Sequence, residues 1–334
     1  MLNAAIIGFG GIAQLHKNAY RQLEKDGLVR LVAACDVRKE AFTEHTKTNL
    51  GSVEHHTDES IRFYTDLEEM LAKETLDYVD ICVPTYLHKD LAVKMLGLGY
   101  NVLSEKPMAL TSQDCRELLM AEKASGKHYM IGQVLRFFPQ YRYLKKCIDD
   151  QPYGKVLAAF FSRNSAQPTW GFEHWYLDYN RCGGAILDIH IHDVDMVRYL
   201  FGEPQAVSCR AANAKTKYDI CQTSFYYPNG IPVMAKGCWT PGKIPFSAYY
   251  KVDFERATLI YESGKVTVYP EDGDPFVVET DGYDGFTGEI AYFAKVVAGK
   301  IQNGRNPASS AAKTVALIEK MMESADQNGA IVEL

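Results

Sequence analysis

The sequence predicts two domains, an α/β domain wound on both faces of a parallel sheet and then an α+β domain with an open, mostly antiparallel sheet. Three observations predict this. A short apolar run closes on Gly8-x-Gly10-x-x-Ala13, apolar runs alternate with helical stretches as far as Gly132, and beyond Val156 strand candidates follow one another across short turns. At 334 residues the chain also exceeds the roughly 250 to 300 at which a single core stops growing. The expected division is 1–125 and 126–334, with the C-terminal helix free to pack back on the first domain.

Ala4 to Ile7 is too short for a helix and is bounded by glycine, which reads as a buried strand. Ile12 to about Leu23 has helical spacing and stops before Gly27, and Val29 to Asp36 is the second strand. Arg38 to about Leu50 reads as a helix closed by Gly51, whereas Ser52 to Asp66 is polar and unassigned. Asp66 caps a short helix, Leu67 to Lys73. The strand Tyr78 to Val83 stops at Pro84, which has no N–H to give a sheet. His88 to Leu98 is helical, Val102 to Ser104 is a strand running into Glu105-Lys106-Pro107, Thr111 caps a helix reaching Ala124, and His128 to Gly132 closes the series.

In the second half the strand candidates are Val156–Asn164, Gln205–Ala214, Ile220–Tyr227, Ile231–Thr240, Tyr249–Glu255, Thr258–Glu262 and Lys265–Tyr269, with turns such as Pro228-Asn229-Gly230. A single helix, Gly184 to Phe201, interrupts them and is stopped by Gly202 and Pro204. Two helices, Gly285–Ala298 and Ala308–Asp326, end the chain.

Net charge is −6 without a basic run, which argues against a nucleic-acid or anionic-membrane partner. The eight cysteines include no C-x-x-C pair, so neither a zinc site nor a disulfide framework is expected, and no metal is assigned. No run approaches the ~18 apolar residues of a membrane span, and the chain opens on its first strand. A cytoplasmic protein is therefore expected.

The glycine turn is a place to lay a pyrophosphate. Gly8 allows the tight turn, Gly10 the close backbone approach and Ala13 the packing of helix on strand, while the helix start favours an anion. Asp36 follows at about the ~20-residue distance of a ribose-binding carboxylate. A carboxylate there favours NAD; Arg38, two residues on, leaves NADP as the alternative. In parallel sheets ligands sit beyond the carboxyl ends of the strands, which gathers Gly8 to Ile12, Asp36, Pro84 to His88 and Glu105 to Pro107 around one crevice. Two side-chain groups could then do chemistry. Lys106 at a strand mouth can donate to a carbonyl oxygen or help deprotonate an alcohol, and on a regular helix Asp188, His192 and Asp195 share one stripe from which His190 points away. A carboxylate one turn from a histidine can orient its ring, so His192 is nominated and His190 is read as a satisfied core or surface residue.

Gly8-x-Gly10-Gly11-Ile12-Ala13-x-x-His16, Asp36, Pro84-Thr85-x-x-His88, Glu105-Lys106-Pro107 and Gly183-Gly184-x-x-x-Asp188-x-x-x-His192-x-x-Asp195, in this order, resemble the glucose-fructose oxidoreductase, inositol dehydrogenase and rhizopine-catabolism family (Gfo/Idh/MocA). The resemblance implies an N-terminal Rossmann domain, a C-terminal α+β domain, and homodimers or homotetramers through the outer face of the C-terminal sheet. It implies NAD bound by Gly8, Phe9, Gly10, Gly11, Ile12, Asp36, Val37, Arg38, Pro84, Thr85, His88, Glu105, Lys106 and Pro107, the last three at the nicotinamide end. It further implies that Lys106 and His192 flank the reacting carbinol, with His192 as general base and Asp188 orienting it or the substrate. Arg136, Asn164, Trp170 and Trp175 complete the expected substrate contacts. The function implied is hydride transfer between nicotinamide C4 and a secondary alcohol of a sugar, inositol or related cyclic polyol. An NAD-dependent glycoside hydrolase using transient oxidation and a non-catalytic dinucleotide-sensing regulator are the alternatives.

Overall fold

The computed structural model of the protein describes residues 1–43, 46–48, 51–53 and 60–334. Its residues cluster into two units, 1–134 with 283–312 and 135–282 with 313–334. The division expected after residue 125 lies one strand before the first of these boundaries.

The first unit begins with β1 (Leu2–Ile7), α1 (Gly11–Lys25) and β2 (Val29–Cys35). Where a helix was expected over 38–50, the described residues hold a short 3-10 turn, Lys39–Phe42, and an antiparallel pair, β3 (Thr46–Thr48) with β4 (Gly51–Val53). Residues 44, 45, 49 and 50 of that expectation lie outside the described ones. The threonines at 46 and 48 and the glycine at 51 suit a tight ladder better than a helix. There follow β5 (Arg62–Tyr64), α2 (Leu67–Lys73), β6 (Tyr78–Ile81), α3 (His88–Gly97), β7 (Asn101–Glu105), α4 (Ser112–Ser125) and β8 (Tyr129–Gly132). The sheet order is β5-β2-β1-β6-β7-β8, with every pair parallel. Strand order reverses between β1 and β6, the switch point at which doubly wound sheets bind ligands. Both capping residues expected from sequence serve: Asp66 accepts from Glu69 N (2.8 Å) and Thr111 from Asp114 N (3.1 Å).

The second unit opens with α5 (Pro139–Asp150), a helix without a sequence assignment. Pro139 suits a first helical turn, and Tyr141, Leu144 and Cys147 bury one stripe of it. Next come β9 (Val156–Ala166), α6 (Tyr179–Cys182), α7 (Gly184–Asp188), α8 (Ile191–Phe201), β10 (Ala206–Ala212), β11 (Ile220–Tyr226), β12 (Val233–Thr240), β13 (Ser247–Phe254), β14 (Ala257–Glu262), β15 (Lys265–Pro270) and β16 (Phe276–Val277). The chain then gives α9 (Gly285–Val297) to the first unit, continues through α10 (Ala308–Asp326), and ends with β17 (Val332–Glu333). The nine-stranded sheet runs β16-β15-β14-β13-β9-β12-β11-β10-β17 and is antiparallel except where β9 meets β12. One face carries α7 and α8; the other leaves Phe160, Tyr226, Met234 and Tyr269 exposed.

Within the first unit α9 packs on α1, and the Asn306 side chain donates to Ile131 O (2.6 Å), fastening the returning segment to β8. All eight cysteines are buried free thiols. No helix among the described residues is long and apolar enough to cross a membrane.

Candidate functional site

The cofactor half is built at the ends of β1, β2, β6 and β7. Gly8 sits at φ +88°, and a Cβ there would lie 2.7 Å from Cys82 O and from Val83 Cγ1, so only glycine lets the turn pass so close to the end of β6. Gly10 is different: a Cβ on it would meet nothing within 4 Å. The space above the start of α1 is open, and the helix's first N–H groups receive no side-chain cap from Gly10. Phe9 is fully buried against Phe42 and Phe63 and holds the turn from below. Asp36 accepts from Phe9 N through Oδ2 (2.8 Å) and from Arg38 N through Oδ1 (2.9 Å). Each oxygen keeps a lone pair for a further donor, as a ribose hydroxyl would require. The Arg38 Nε lies 3.6 Å from Asp36 Oδ1, so the guanidinium is drawn to the same carboxylate, while Val37 is exposed. An open glycine turn, an uncapped helix start and a fixed carboxylate together fit a dinucleotide.

The β6 and β7 ends hold the other expected residues. Pro84 leads into a 3-10 turn, Thr85–Leu87, and Thr85 is buried. The Lys106-Pro107 peptide bond is cis. The buried His88 ring lies between Pro107 O (2.7 Å from Nδ1) and Val83 O (2.9 Å from Nε2), linking the two strand ends. Burial holds its pKa below the ordinary value, although both carbonyls favour the charged form. Glu105 is buried, accepting from Lys106 N at Oε2 (3.1 Å), and its Oε1 lies 3.1 Å from His16 Nε2. It therefore shapes the backbone that carries Lys106 from beneath.

In the second unit the expected single helix over 184–201 is broken. Ala185 O accepts from both Ile189 N (3.1 Å) and His190 N (2.9 Å), a wide turn that ends α7 at Asp188 and restarts the helix as α8. A uniform 100° per residue therefore does not run from Asp188 to His192. Asp188 is buried at the end of α7 and His192 is half-buried in the first turn of α8. His190 turns to the sheet, where its Nε2 lies 3.1 Å from Thr223 Oγ1. A Cβ on Gly237 of β12 would come within 2.5 Å of the His190 Cβ, so this close approach requires the glycine. Full burial, with the Arg163 guanidinium nearby, pushes the His190 pKa down to about 3.

Asp195 pairs with Arg136, both buried, through Arg136 Nε (2.8 Å) and Nη2 (2.7 Å), and also accepts from Thr314 Oγ1 (2.9 Å). The buried Arg163 and Asp193 form a second pair, with both bonds at 3.0 Å. Sequence reading missed both pairs, because nothing local links residues 59 or 30 apart. Asn164 donates to Ser162 Oγ (2.9 Å) and Ser247 Oγ (3.3 Å) and accepts from Cys238 Sγ (3.0 Å). Trp175 is buried and stacked on Tyr176 at 3.9 Å, whereas Trp170 is exposed.

Two family models describe the chain: the oxidoreductase family with NAD-binding Rossmann fold over residues 2–133, and the GFO/IDH/MocA C-terminal domain over residues 141–259. The chain belongs to the GFO/IDH/MocA family. Its first unit is thus an NAD-binding Rossmann domain. Among curated proteins it is similar to 2,7-anhydro-N-acetylneuraminate hydratase of Mediterraneibacter gnavus, 36% identical over 150 residues, 45% of this chain and 40% of that protein. It is also similar to inositol 2-dehydrogenase of Rhizobium meliloti, 31% identical over 212 residues, 62% of this chain and 57% of the relative. The matched stretches thus span 40% and 57% of these two relatives. Among solved structures, aldose-aldose oxidoreductase from Caulobacter crescentus complexed with glycerol shares the fold of this GFO/IDH/MocA protein. Its TM-score is 0.84 at 20% identity, covering 100% of this chain and 99% of that one.

Proposed function

We propose that this protein is an NAD-dependent oxidoreductase acting on a secondary alcohol of a sugar, inositol or related cyclic polyol. The observation that carries the reading is an NAD-binding Rossmann domain whose fifth parallel strand, β7, ends in Glu105-Lys106-Pro107. The similarity to an inositol 2-dehydrogenase supports the substrate class. When bound, nicotinamide supplies hydride chemistry at C4. The chain's own residues manage one proton: His192 takes it from the substrate hydroxyl, Lys106 Nζ donates to the same oxygen, and Asp188 orients the imidazole or the substrate. Asp36 accepts from a ribose hydroxyl and disfavours a 2′-phosphate, which selects NAD over NADP. Arg136, Asn164, Trp170 and Trp175 are the further substrate contacts, of which Arg136 and Trp175 are also engaged within the fold, with Asp195 and Tyr176. The soluble assembly is a homodimer or homotetramer joined through the exposed face of the nine-stranded sheet, on which Phe160, Tyr226, Met234 and Tyr269 lie.

The hydratase among the similar proteins favours a second reading, in which the hydride is returned and substrate changes without net redox. One experiment separates them: polyols, aldoses and anhydro sugars are offered with NAD or NADP to wild type, Lys106→Ala and His192→Ala, following NADH absorbance and product. The proposal expects NADH equal to product, a preference for NAD, and a loss of at least about 10²-fold in kcat in both variants with NADH binding retained. Product without NADH selects the second reading. Wild-type turnover by either variant removes that residue from the mechanism.

A further inference from the structure

Beneath the strand end that carries Lys106 lies an enclosed set of ionisable groups from four elements of the first unit. His16 comes from α1, Asp80 and the neighbouring Cys82 from β6 and its end, Glu105 from β7 and Glu289 from α9; all are buried. The His16 Nδ1 lies 2.8 Å from Asp80 Oδ2 and its Nε2 3.1 Å from Glu105 Oε1. A neutral imidazole has one N–H and could satisfy only one of these carboxylates, whereas an imidazolium satisfies both. Asp80 is further held by Tyr20 OH (2.9 Å) and by the Cys82 thiol (3.5 Å). Glu289 stands apart. It is fully buried, and neither carboxyl oxygen has a hydrogen-bonding partner among the described residues. Yet ligand atoms of His16, Glu105 and Glu289 lie within 4.8 Å of one another. A Cβ on Gly132 would lie 3.3 Å from Glu105 Oε1 and 3.4 Å from Glu289 Oε1, so both carboxyls flank the same point on β8.

Charge decides how such a cluster is occupied. His16 as imidazolium balances one of the two carboxylates it touches, which leaves one negative charge. Ionising Glu289 as well would place two like charges side by side out of water. We infer that only one of Glu105 and Glu289 is ionised, the proton residing on Glu289, and that this pair, closed by the His16 imidazolium, is a positioning device for the Lys106 backbone. The link to Lys106 is direct, because Glu105 Oε2 accepts the Lys106 N–H. The electrostatic directions agree. Burial, reinforced by Glu105 and Asp80, raises Glu289 well above the carboxylate range; burial opposes ionisation of Glu105 also, but His16 and Lys106 hold it low. For His16, burial is outweighed by Asp80 and Cys82, and the pKa rises well above its ordinary value.

The test uses the full chain carrying Glu289→Gln, a neutral isostere, and Glu289→Ala. With a raised folded pKa, wild type is penalised as pH rises from the ordinary carboxylate pKa towards the folded one, and Glu289→Gln is not. The melting temperature of Glu289→Gln should therefore gain on wild type by about 4 °C between pH 5.5 and 8.5. Hydrogen exchange of the peptide spanning 104–108 should quicken at least about tenfold in Glu289→Ala and stay at the wild-type rate in Glu289→Gln. Neither readout requires turnover, so both stand if the proposed reaction fails. Parallel melting curves for wild type and Glu289→Gln, unchanged exchange in Glu289→Ala, or failure of Glu289→Gln to fold would overturn the inference. Stoichiometric divalent metal in the purified protein, lost in Glu289→Gln, would also overturn it, by assigning the cluster to a cation.

Discussion

Replacing His190 by Gln tests which histidine of the Asp188–Asp195 segment is structural. The His190 ring is enclosed between α8 and the sheet, against Gly237 and Thr223, and its pKa is pushed down to about 3 from an ordinary 6.5. A depressed folded pKa means that the unfolded chain takes up the proton first. The histidine's contribution is therefore fully present above pH 6.5 and is lost as pH falls towards 3. A full pH unit in that window is worth up to about 1.4 kcal/mol, so lowering the pH from 6.5 to 4.5 should remove roughly 2 kcal/mol that the glutamine variant never had at risk. At pH 7.5 the variant should be less stable by about 1–2 kcal/mol, because amide replaces ring in a packed site. The stability gap between wild type and His190→Gln, from urea midpoints at each pH, should thus shrink on acidification and reverse near pH 5. Turnover at pH 7.5 should stay within a few-fold of wild type, against at least about 10²-fold loss for His192→Ala. A gap constant from pH 7.5 to 4.5 would show that His190 titrates normally, and a large loss of kcat would show that the wrong histidine has been called structural.

Arg136→Met should destabilise the second unit by about 3–5 kcal/mol, since Asp195 is left buried with only the Thr314 hydroxyl. The double variant Arg136→Met/Asp195→Leu should recover most of that loss; equal losses in single and double variants by urea unfolding would deny the pairing. Met234→Glu, which places a charge on the exposed face of the nine-stranded sheet, should shift the protein to monomer by light scattering without lowering the melting temperature. An unchanged oligomer would move the interface elsewhere.

What sequence could and could not show follows from the range of the forces involved. The glycine turn, the parallel strands and Asp36 were legible because each is local: a short apolar run, a φ that only glycine adopts, a carboxylate at a set distance. Asp36 goes on to accept the N–H of Phe9, so even this long-range contact is foreshadowed by the turn geometry. The helix over 184–201 was legible as helix but not as two, because the wide turn at Ala185 answers the burial of His190 against Gly237, 47 residues away in β12. Periodicity sees only the helix's own face, not the partner that bends it.

Glu289 was invisible for the same reason in stronger form. Nothing around Gly288-Glu289-Ile290 marks a special carboxyl, and on helical spacing it reads as one polar residue amid apolar neighbours. Its meaning appears only when α9 returns from the far end of the sequence to lie on α1. A buried acid without a partner is costly unless it is neutral. A chain that keeps one there, rather than a methyl-bearing side chain, is expected to use its neutral form, which stands beside the carboxylate under Lys106.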